Sequence, residues 1–311
     1  MKSKLDREQL VLFLTSNKFS QKGLVCVQQL KQTYNYAFLD EGSKREIRRA
    51  TLKAVAIPGY QVPFASREMP IGRGWGTGGL QLTLSLIGET DSLKVIDQGY
   101  DDSVNAVSIK KLVRNCSGIE TTDDSEKATV IQTRHRIPEI PLRDDQILVL
   151  QVPLPEPLRR VEAKEKNTKR LHAEMDYSSM WLRLYEDIVH WGKITIGADY
   201  PSMVNGRYIF NPSPIPRYDL LKLNQADGLY LFGAGREKKI YAIPPHTDVV
   251  PLQFEDYPFE VENFEGLSCR LCGSDDTYLD EIYDGETGEK FYQCSDTGCC
   301  QKRQLERRNG A

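Results

Sequence analysis

The spacing of apolar residues predicts a well-defined helix early in the chain. Small or apolar side chains recur at helical spacing at Ile47, Ala50, Thr51, Ala54 and Val55. Ser43 and Glu46 have the separation of a capping box, which predicts that the helix begins near Ser43. Pro58 disfavours helical geometry at the residue before it, so we expect the helix to stop at Ile57.

Other segments follow the two-residue alternation of strands. Leu80, Leu82 and Leu84 alternate with polar residues and predict a strand over residues 80–87, whereas residues 103–112 have helical spacing. Further strands are predicted at 129–133, 146–153, 229–232 and 240–243. Because helices and strands interleave irregularly, we expect an α+β fold with a mixed core rather than a doubly wound sheet.

Prolines divide the chain into four predicted parts. The prolines at 153, 155 and 157 mark one boundary, and those at 212, 214 and 216 mark another. We expect an N-terminal helical extension over 1–33, an α+β core made of 34–156 and 226–260, an insertion over 157–225, and a cysteine-rich ribbon over 261–311. The insertion has a charged shoulder and an aromatic-rich apolar stripe at helical spacing. Such a stripe is usually core, and in an insertion it equally suits a surface that binds a partner, which is the role we predict.

Four cysteines near the C-terminus have the spacing of a metal centre. Cys269 and Cys272 form one pair, and Cys294 and Cys300 follow after a 21-residue span that is predicted to be a two-stranded hairpin. Four thiolates close a structural zinc site, and three can hold an iron–sulfur cluster that leaves one cysteine for chemistry. The spacing alone does not separate these alternatives.

Composition and charge narrow the class of protein. The chain has 311 residues, of which 27% are charged, and a formal net charge of −3, which argues against a general nucleic-acid binder. The charged N-terminus does not resemble a signal peptide, and no apolar run is long enough to span a membrane. We therefore predict a cytoplasmic protein, where seven cysteines favour metal or redox chemistry over disulfides.

A glycine-rich run over residues 71–79 is a candidate cofactor-binding loop. Gly74, Gly76, Gly78 and Gly79 would let backbone N–H groups approach a phosphate or a cofactor closely. The run lacks the Lys-Ser/Thr of a P-loop and the context of a dinucleotide fingerprint, so its ligand is unspecified. A plain tight connector is the alternative.

Basic residues at two strand ends are candidate binders of an oxyanion such as a substrate phosphate, and the first cluster, which contains a histidine, also suits a metal. Arg134, His135 and Arg136 follow one predicted strand, and Arg236, Lys238 and Lys239 follow a Gly-Ala-Gly turn after another. Gln151 is a polar exception in an otherwise apolar strand and joins this substrate-binding set. A solvated charge run is the other reading of the second cluster.

Several stretches together resemble a known family. They are YAFLDE at 36–41, KAVAIPGYQVP at 53–63, GWGTGG at 74–79, QTRHRIPE at 132–139, FGAGREK at 232–238, and the Cys-x2-Cys-x21-Cys-x5-Cys pattern. The chain resembles the catalytic subunits of bacterial carbon–phosphorus lyase, the PhnJ family, from about Tyr34 to about Arg307. Two features depart from the family pattern, a longer N-terminal extension and the additional thiol of Cys299.

The resemblance implies a radical enzyme. Cys269, Cys272 and Cys294 would hold a [4Fe-4S] cluster that binds S-adenosylmethionine, and the resulting deoxyadenosyl radical would take a hydrogen from Gly59. Cys300 would become a thiyl that attacks phosphorus in 5-phosphoribosyl 1-methylphosphonate, giving methane and a 1,2-cyclic phosphate. Under the structural-zinc alternative, which protein prepared in air could also show, Cys300 would be the fourth ligand.

The resemblance also implies partners, namely other subunits of a carbon–phosphorus lyase core complex and an ABC-type ATPase.

The chemistry of the reaction itself favours a homolytic route, because an unactivated methyl group is a very poor anionic leaving group. A function of a different class stays open, a non-catalytic zinc-ribbon scaffold subunit of a multiprotein enzyme. We expect neither a nucleic acid nor a membrane as partner.

Overall fold

The computed structural model describes residues 39–66, 78–97, 103–134, 137–152, 164, 166, 202–209, 220–234, 238–251 and 264–309. The predicted N-terminal extension and most of the predicted insertion lie outside these residues. The described helices are α1 (Glu41–Ala56), α2 (Gly78–Leu86), α3 (Val104–Ser117), α4 (Leu220–Leu223) and α5 (Thr297–Asn309). With the sheets below they confirm the expected mixture of helices and strands.

A seven-stranded sheet forms the centre of the fold. Its strands are β1 (Val62–Pro63), β2 (Ser92–Asp97), β3 (Glu120–Thr121), β4 (Val130–Arg134), β5 (Ile147–Val152), β8 (Leu229–Ala234) and β9 (Lys239–Ile243). They lie in the order β1-β9-β8-β5-β4-β2-β3. The five strands from β8 to β3 are parallel, whereas β9 is antiparallel to both of its neighbours.

Each face of this sheet is covered by its own apolar core. On one face, the alternate strand residues Val95, Val149 and Leu231 pack with apolar residues of α1, α2 and α3. On the other face, Ile131, Leu148 and other alternate residues pack with side chains from the second half of the chain. Burial of both faces explains why the central strands are apolar throughout rather than alternating.

Helix α1 has the predicted buried stripe but a different start. Its buried residues are the five named from the sequence, Ile47, Ala50, Thr51, Ala54 and Val55. The predicted cap at Ser43 is wrong, because the side chain of Asp40 accepts a hydrogen bond of 2.7 Å from the Ser43 N–H and the helix begins two residues before Ser43. The helix ends as expected, with Ile57 as its C-cap.

The predicted strand over residues 80–87 is wrong, because this segment forms α2. All nine residues of α2 are buried, polar ones included. A helix that is surrounded by protein has no solvent-facing side to impose a polar stripe, so a chance alternation resembles a strand. Ser85, for example, bonds its hydroxyl to the Gln81 carbonyl at 2.6 Å.

A second, three-stranded sheet joins the predicted insertion to the core. It consists of β6 (Ser202–Val204), β7 (Arg207–Ile209) and β10 (Val249–Pro251), in the order β10-β6-β7. β6 and β7 belong to the predicted insertion, whereas β10 belongs to the predicted core segment. Val204 and Val249 are both buried in the second apolar core. The described end of the insertion is therefore built onto the core.

The C-terminal segment is a hairpin followed by a helix. β11 (Leu279–Tyr283) and β12 (Lys290–Cys294) pair antiparallel and confirm the predicted ribbon, with its turn at residues 284–289. Asp284 stabilises this turn by accepting backbone hydrogen bonds from Glu286 and Thr287. The tail that contains Cys299 and Cys300 is helical, since both cysteines lie in the first turn of α5.

Candidate functional site

Four cysteine sulfurs converge on one point in the C-terminal segment. The Sγ atoms of Cys269, Cys272, Cys294 and Cys300 all lie within 4.8 Å of one another, and each residue is buried. The Cys272 and Cys294 sulfurs are 3.3 Å apart, and those of Cys269 and Cys300 are 3.8 Å apart. A tetrahedral zinc with bonds of about 2.3 Å places its sulfurs about 3.8 Å apart, so this spacing suits a single ion. A four-iron cluster is larger and requires the sulfurs to move apart.

Local structure sets the position of each cysteine. The Cys269 sulfur accepts backbone N–H groups from Leu271, Cys272 and Cys294, each at 3.4 Å, as in a metal knuckle. Gly273 closes the knuckle with a φ of +67°, a conformation that favours glycine. Cys294 ends β12, and Cys300 lies one turn into α5.

The surroundings of the sulfurs separate their pKa values. Burial disfavours the Cys269 thiolate, but the N–H groups of Cys272, Cys294 and Leu271 outweigh it and lower its pKa to about 6. Burial, followed by the nearby Cys269, raises the pKa of Cys300 to about 12. Burial and the neighbouring Cys272 also raise the pKa of Cys294. The Cys269 sulfur is therefore ready to bind a cation near neutral pH, whereas the Cys294 and Cys300 thiols lose their protons when the cation binds.

Asp296 holds this centre onto the central sheet. Its carboxylate accepts the Cys299 N–H at 3.1 Å at the start of α5 and the Glu139 N–H at 3.3 Å. The ammonium of Lys94 in β2 lies 3.4 Å from the same carboxylate, and both side chains are 1% exposed. A buried charge needs a partner, so this pair fixes the ribbon against the β2 side of the sheet.

A second group of candidate residues lines the edge of the sheet where the parallel strands end. Asp97, Arg134, Gln151 and Gly233 are cross-strand neighbours in β2, β4, β5 and β8. The Arg134 guanidinium donates to the Asp97 carboxylate through Nε at 2.8 Å and lies 2.7 Å from it through Nη2. Ligands of open α/β sheets bind outside the carboxyl ends of such strands.

The start of α2 packs directly on this row of four strand-end residues. The Gly79 N–H donates to the Gln151 side-chain carbonyl, and a Cβ added at Gly79 would lie 2.7 Å from that oxygen. A Cβ at Gly233 would lie 2.8 Å from the Gly78 carbonyl carbon. Glycine at these positions is thus required by close approach, and the residues bring the end of the glycine-rich run to the row that contains Arg134 and Gln151.

The other basic residues and glycines of the predicted site are not part of this row. Gly74, Gly76, His135, Arg136 and Arg236 lie outside the described residues. Lys238 donates to the Ser66 carbonyl at 2.6 Å, and Lys239 pairs with Ala234 at the end of β8. Lys239 is adjacent to the row described above, but the alternation of β9 places it on the face opposite Ile240.

Gly59 follows α1 in a tight turn. Its φ is +78°, and its N–H donates to the Ala242 carbonyl of β9 at 3.3 Å. This left-handed geometry requires glycine for the turn itself, whatever further role the residue has. The hydrogen bonds recorded for Gly59, within the part of the chain that the structure describes, join it to β9 and not to the cysteines.

Sequence reasoning missed three charged residues around the cysteines. Glu139, Asp296 and Arg303 have no role assigned from the sequence. Glu139 accepts a hydrogen bond from Arg303 of α5, Asp296 accepts the Cys299 N–H, and Arg303 donates to the Cys294 sulfur. The sequence did contain a signal for Arg303, because it follows Cys299 by four residues and Cys300 by three. In a helix, residues three and four positions apart are neighbours on the same face, so a helical tail places Arg303 beside both cysteines.

Comparisons with known proteins decide the family. The family model of the phosphonate metabolism protein PhnJ matches residues 32–306. The chain belongs to the PhnJ family. It is 55% identical over 276 residues to the alpha-D-ribose 1-methylphosphonate 5-phosphate C-P lyase of Escherichia coli (strain K12), an alignment covering 89% of this chain and 98% of that protein. The similarly named protein of Rhizobium meliloti (strain 1021) is 54% identical over 279 residues, which cover 90% of this chain and 94% of the relative.

The PhnJ match contains every candidate site described above. Residues 32–306 include Gly59, the row at the sheet edge, and the four converging cysteines. The match starts close to Tyr34, so the predicted extension over 1–33 lies almost entirely before it. Within the described segments, no helix is both long and apolar enough to cross a membrane.

Proposed function

We propose that this chain cleaves the carbon–phosphorus bond of alpha-D-ribose 1-methylphosphonate 5-phosphate, as the names of its relatives state for them. The observation that carries the proposal is 55% identity to a protein of that name over 98% of its length. The products would be methane and 5-phosphoribose 1,2-cyclic phosphate. The reaction belongs to phosphonate utilisation and would take place in the cytoplasm.

The cysteine centre would supply the one-electron chemistry. Cys269, Cys272 and Cys294 would hold a [4Fe-4S] cluster, and their thiolate donors suit iron as well as zinc. Such a cluster, when bound, supplies the electron that cleaves S-adenosylmethionine to a carbon radical. Gly78, with Gly74 and Gly76 before it, would cradle the cofactor or the substrate phosphate through backbone N–H groups, and Gly79 would hold this loop in place through its own N–H bond to Gln151.

Gly59 and Cys300 would carry the radical through the protein. Gly59 gives up its α-hydrogen, because only glycine has an α-carbon open enough to flatten. It then takes the hydrogen of the Cys300 thiol, which leaves the sulfur with an unpaired electron. The sulfur bonds to phosphorus while the methyl group leaves with one electron of the broken bond and takes the α-hydrogen of Gly59, which gives methane and returns Gly59 to its radical form. The ribose 2-hydroxyl finally displaces Cys300 from phosphorus.

The substrate carries two anionic groups, a phosphonate and a phosphate, and needs cations around it. Arg134 and Gln151 at the sheet edge would bind or orient it, together with His135, Arg136, Arg236, Lys238 and Lys239. Other carbon–phosphorus lyase subunits and an ABC-type ATPase would be partners of the chain, and the segment between residues 157 and 225 would provide a binding surface.

A second function is favoured by one specific observation. Two pairs of sulfurs lie 3.3 and 3.8 Å apart, close to the separation in a tetrahedral zinc site, which suits a non-catalytic zinc-ribbon scaffold. Anaerobic purification followed by iron, sulfide and zinc analysis separates the two proposals. The lyase proposal predicts iron and sulfide in the protein, and methane by gas chromatography when substrate, S-adenosylmethionine and a reductant are added. Zinc alone after anaerobic reconstitution, with no methane, supports the scaffold and contradicts the lyase.

A further inference from the structure

One guanidinium contacts three cysteine sulfurs. Arg303 lies one helical turn beyond Cys299 and Cys300 on α5, and its side chain turns back over the cysteine centre. Its Nε lies 3.4 Å from the Cys272 sulfur, Nη2 lies 3.1 Å from the Cys294 sulfur, and Nη1 lies 3.3 Å from the Cys299 sulfur. Cys272 and Cys294 are two of the four residues whose sulfurs converge. The guanidinium therefore donates directly to the proposed metal ligands.

Glu139 fixes the direction of this guanidinium. Its carboxylate accepts Nη1 at 2.6 Å and Nη2 at 3.1 Å, the two-pronged geometry that holds a guanidinium plane in place. The Glu139 side chain is 7% exposed, and its carboxylate also accepts the Thr277 hydroxyl. Because Glu139 is itself held, the Nε edge of Arg303 is aimed at Cys272 and cannot turn towards solvent without breaking two charged hydrogen bonds.

The charge of a metal centre explains why such a donor matters. Four thiolates around a divalent ion carry a net charge of about −2, and burial makes that excess costly. An N–H group that donates to a ligating sulfur lowers this cost and orients the ligand. Arginine keeps its charge throughout the physiological pH range and supplies several donors in one rigid plane.

We infer that Arg303, aimed by Glu139, is a positioning residue of the cysteine metal centre that raises its affinity for metal. The inference rests on the metal-binding part of the proposed function and does not depend on the radical chemistry. A residue that only tethers α5 to the core would need the Glu139 contact alone. The additional donors to Cys272 and Cys294 are what distinguish the two roles.

The same helix offers a matched control. Arg308 lies five residues after Arg303 on α5 and is exposed. Arg307 is unsuitable, because its guanidinium lies against Gly273 in the cysteine knuckle, 2.5 Å from the position of an added Cβ. Substituting Arg308 therefore removes one positive charge from α5 without removing a donor to a sulfur.

The test measures zinc affinity of the full-length chain by competition with a chromophoric chelator. Arg303→Gln is expected to weaken zinc binding by about 10- to 100-fold, the usual cost of losing an outer-shell partner of a metal ligand. Arg303→Lys should restore part of that loss, since it keeps the charge but not the planar fork. Glu139→Gln should fall between wild type and Arg303→Gln, and Arg308→Gln should match wild type.

The absorption spectrum of the cobalt-loaded protein distinguishes the two roles, because it would not change if Arg303 only tethered α5 to the core. The sulfur-to-metal charge-transfer bands of the Co²⁺-loaded protein are expected to shift in Arg303→Gln and to stay unchanged in Arg308→Gln. Wild-type zinc affinity and an unchanged cobalt spectrum in Arg303→Gln would overturn the inference while leaving the metal centre in place. A wild-type chain that binds neither zinc nor iron would overturn both the inference and the proposed centre. Should Arg303→Gln fail to fold by circular dichroism, wild-type affinity in both Arg303→Lys and Glu139→Gln would overturn it.

Discussion

Lys94 and Asp296 form a buried ion pair that joins the central sheet to the cysteine ribbon. The Lys94 ammonium lies 3.4 Å from Asp296 Oδ1, and each side chain is 1% exposed. The ammonium also donates to the Asp123 carbonyl at 2.9 Å. Because Asp296 directly precedes the helix that carries Cys300, the pair places the cysteine centre at the β2 end of the sheet.

This docking separates the two residues of the proposed radical relay. Gly59 bonds to Ala242 in β9, whereas Asp296 bonds to Lys94 in β2. β9 and β2 are separated by β8, β5 and β4, which is four strand spacings or roughly 19 Å. Transfer of a hydrogen atom requires contact. The relay therefore requires the cysteine ribbon and the turn that contains Gly59 to lie closer together than they do in this structure. Their contact stays a prediction.

Gly59→Ala is expected to abolish methane formation while keeping the fold and the bound metal. The added methyl group strains a φ of +78°, at a cost of roughly 1 kcal/mol, and crowds the hydrogen to be abstracted. Gly118→Ala is the control, since Gly118 caps α3 at a φ of +74° with no atom within 4 Å of an added Cβ. Both variants should lose similar stability in urea unfolding. Near wild-type methane release by Gly59→Ala would refute the relay.

Asp97→Asn is expected to destabilise the chain by about 3 kcal/mol, because it leaves the Arg134 charge without its carboxylate partner in a buried site. The side chains of Arg134 and Asp97 are 7% and 4% exposed. Asp145→Asn removes the partner of Arg143 in an exposed pair and should leave stability within experimental error. Chemical unfolding monitored by circular dichroism measures both. Equal stability of the two variants would mean that the pair does not hold β2 and β4 together.

Cys269 is expected to ionise at a lower pH than Cys294, Cys299 and Cys300 in the metal-free, reduced protein. Its pKa is lowered from 9.0 to about 6, so folding favours the thiolate. Its contribution to stability is therefore fully present above the unfolded pKa near 9 and is lost as the pH falls through about 6. Thiolate absorbance at 240 nm should show a step near pH 6 in wild type that is missing in Cys269→Ser. A step that persists in this variant would assign the ionisation to another group.

Removal of residues 167–200 is expected to abolish docking of an ABC-type ATPase and to preserve metal loading. The deletion is shorter than the predicted insertion over 157–225, because β6 pairs with β10 and Val204 is buried in the core. Residues 202–209 should therefore remain. A flexible glycine-serine linker would replace the deleted segment. Co-purification with the ATPase and metal analysis test the two halves of the prediction, and retained docking would show that the partner binds elsewhere.

Local patterns were sufficient for most of the central sheet and for α1. The strands at β4, β5, β8 and β9 are apolar runs of ordinary strand length, and their burial on both faces matches that composition. The five-residue stripe of α1 was correct because one side of this helix faces solvent and the periodicity is visible. The helix α2 is assigned wrongly from the sequence because all of its sides are buried, so it has no helical stripe and its chance alternation indicates a strand.

The cysteine centre was predictable and its surroundings were not. Ligand spacing is a local property, and the four converging sulfurs are the four named from the sequence. Lys94 contacts Asp296, which lies 202 residues later in the chain. Glu139 contacts Arg303, which lies 164 residues later. Contacts of that separation depend on the packing of whole elements, which no short motif encodes.

The most direct test of the proposed mechanism compares methane release by Cys300→Ser and Cys299→Ser under anaerobic conditions. The Cys300 sulfur belongs to the converging set, whereas Cys299 is half-buried and contacts Arg303 outside it. With substrate, S-adenosylmethionine and reductant, we predict that Cys300→Ser keeps its iron and cleaves S-adenosylmethionine but releases no methane, while Cys299→Ser remains active. Methane from Cys300→Ser, or its loss only in Cys299→Ser, would contradict the role proposed for Cys300.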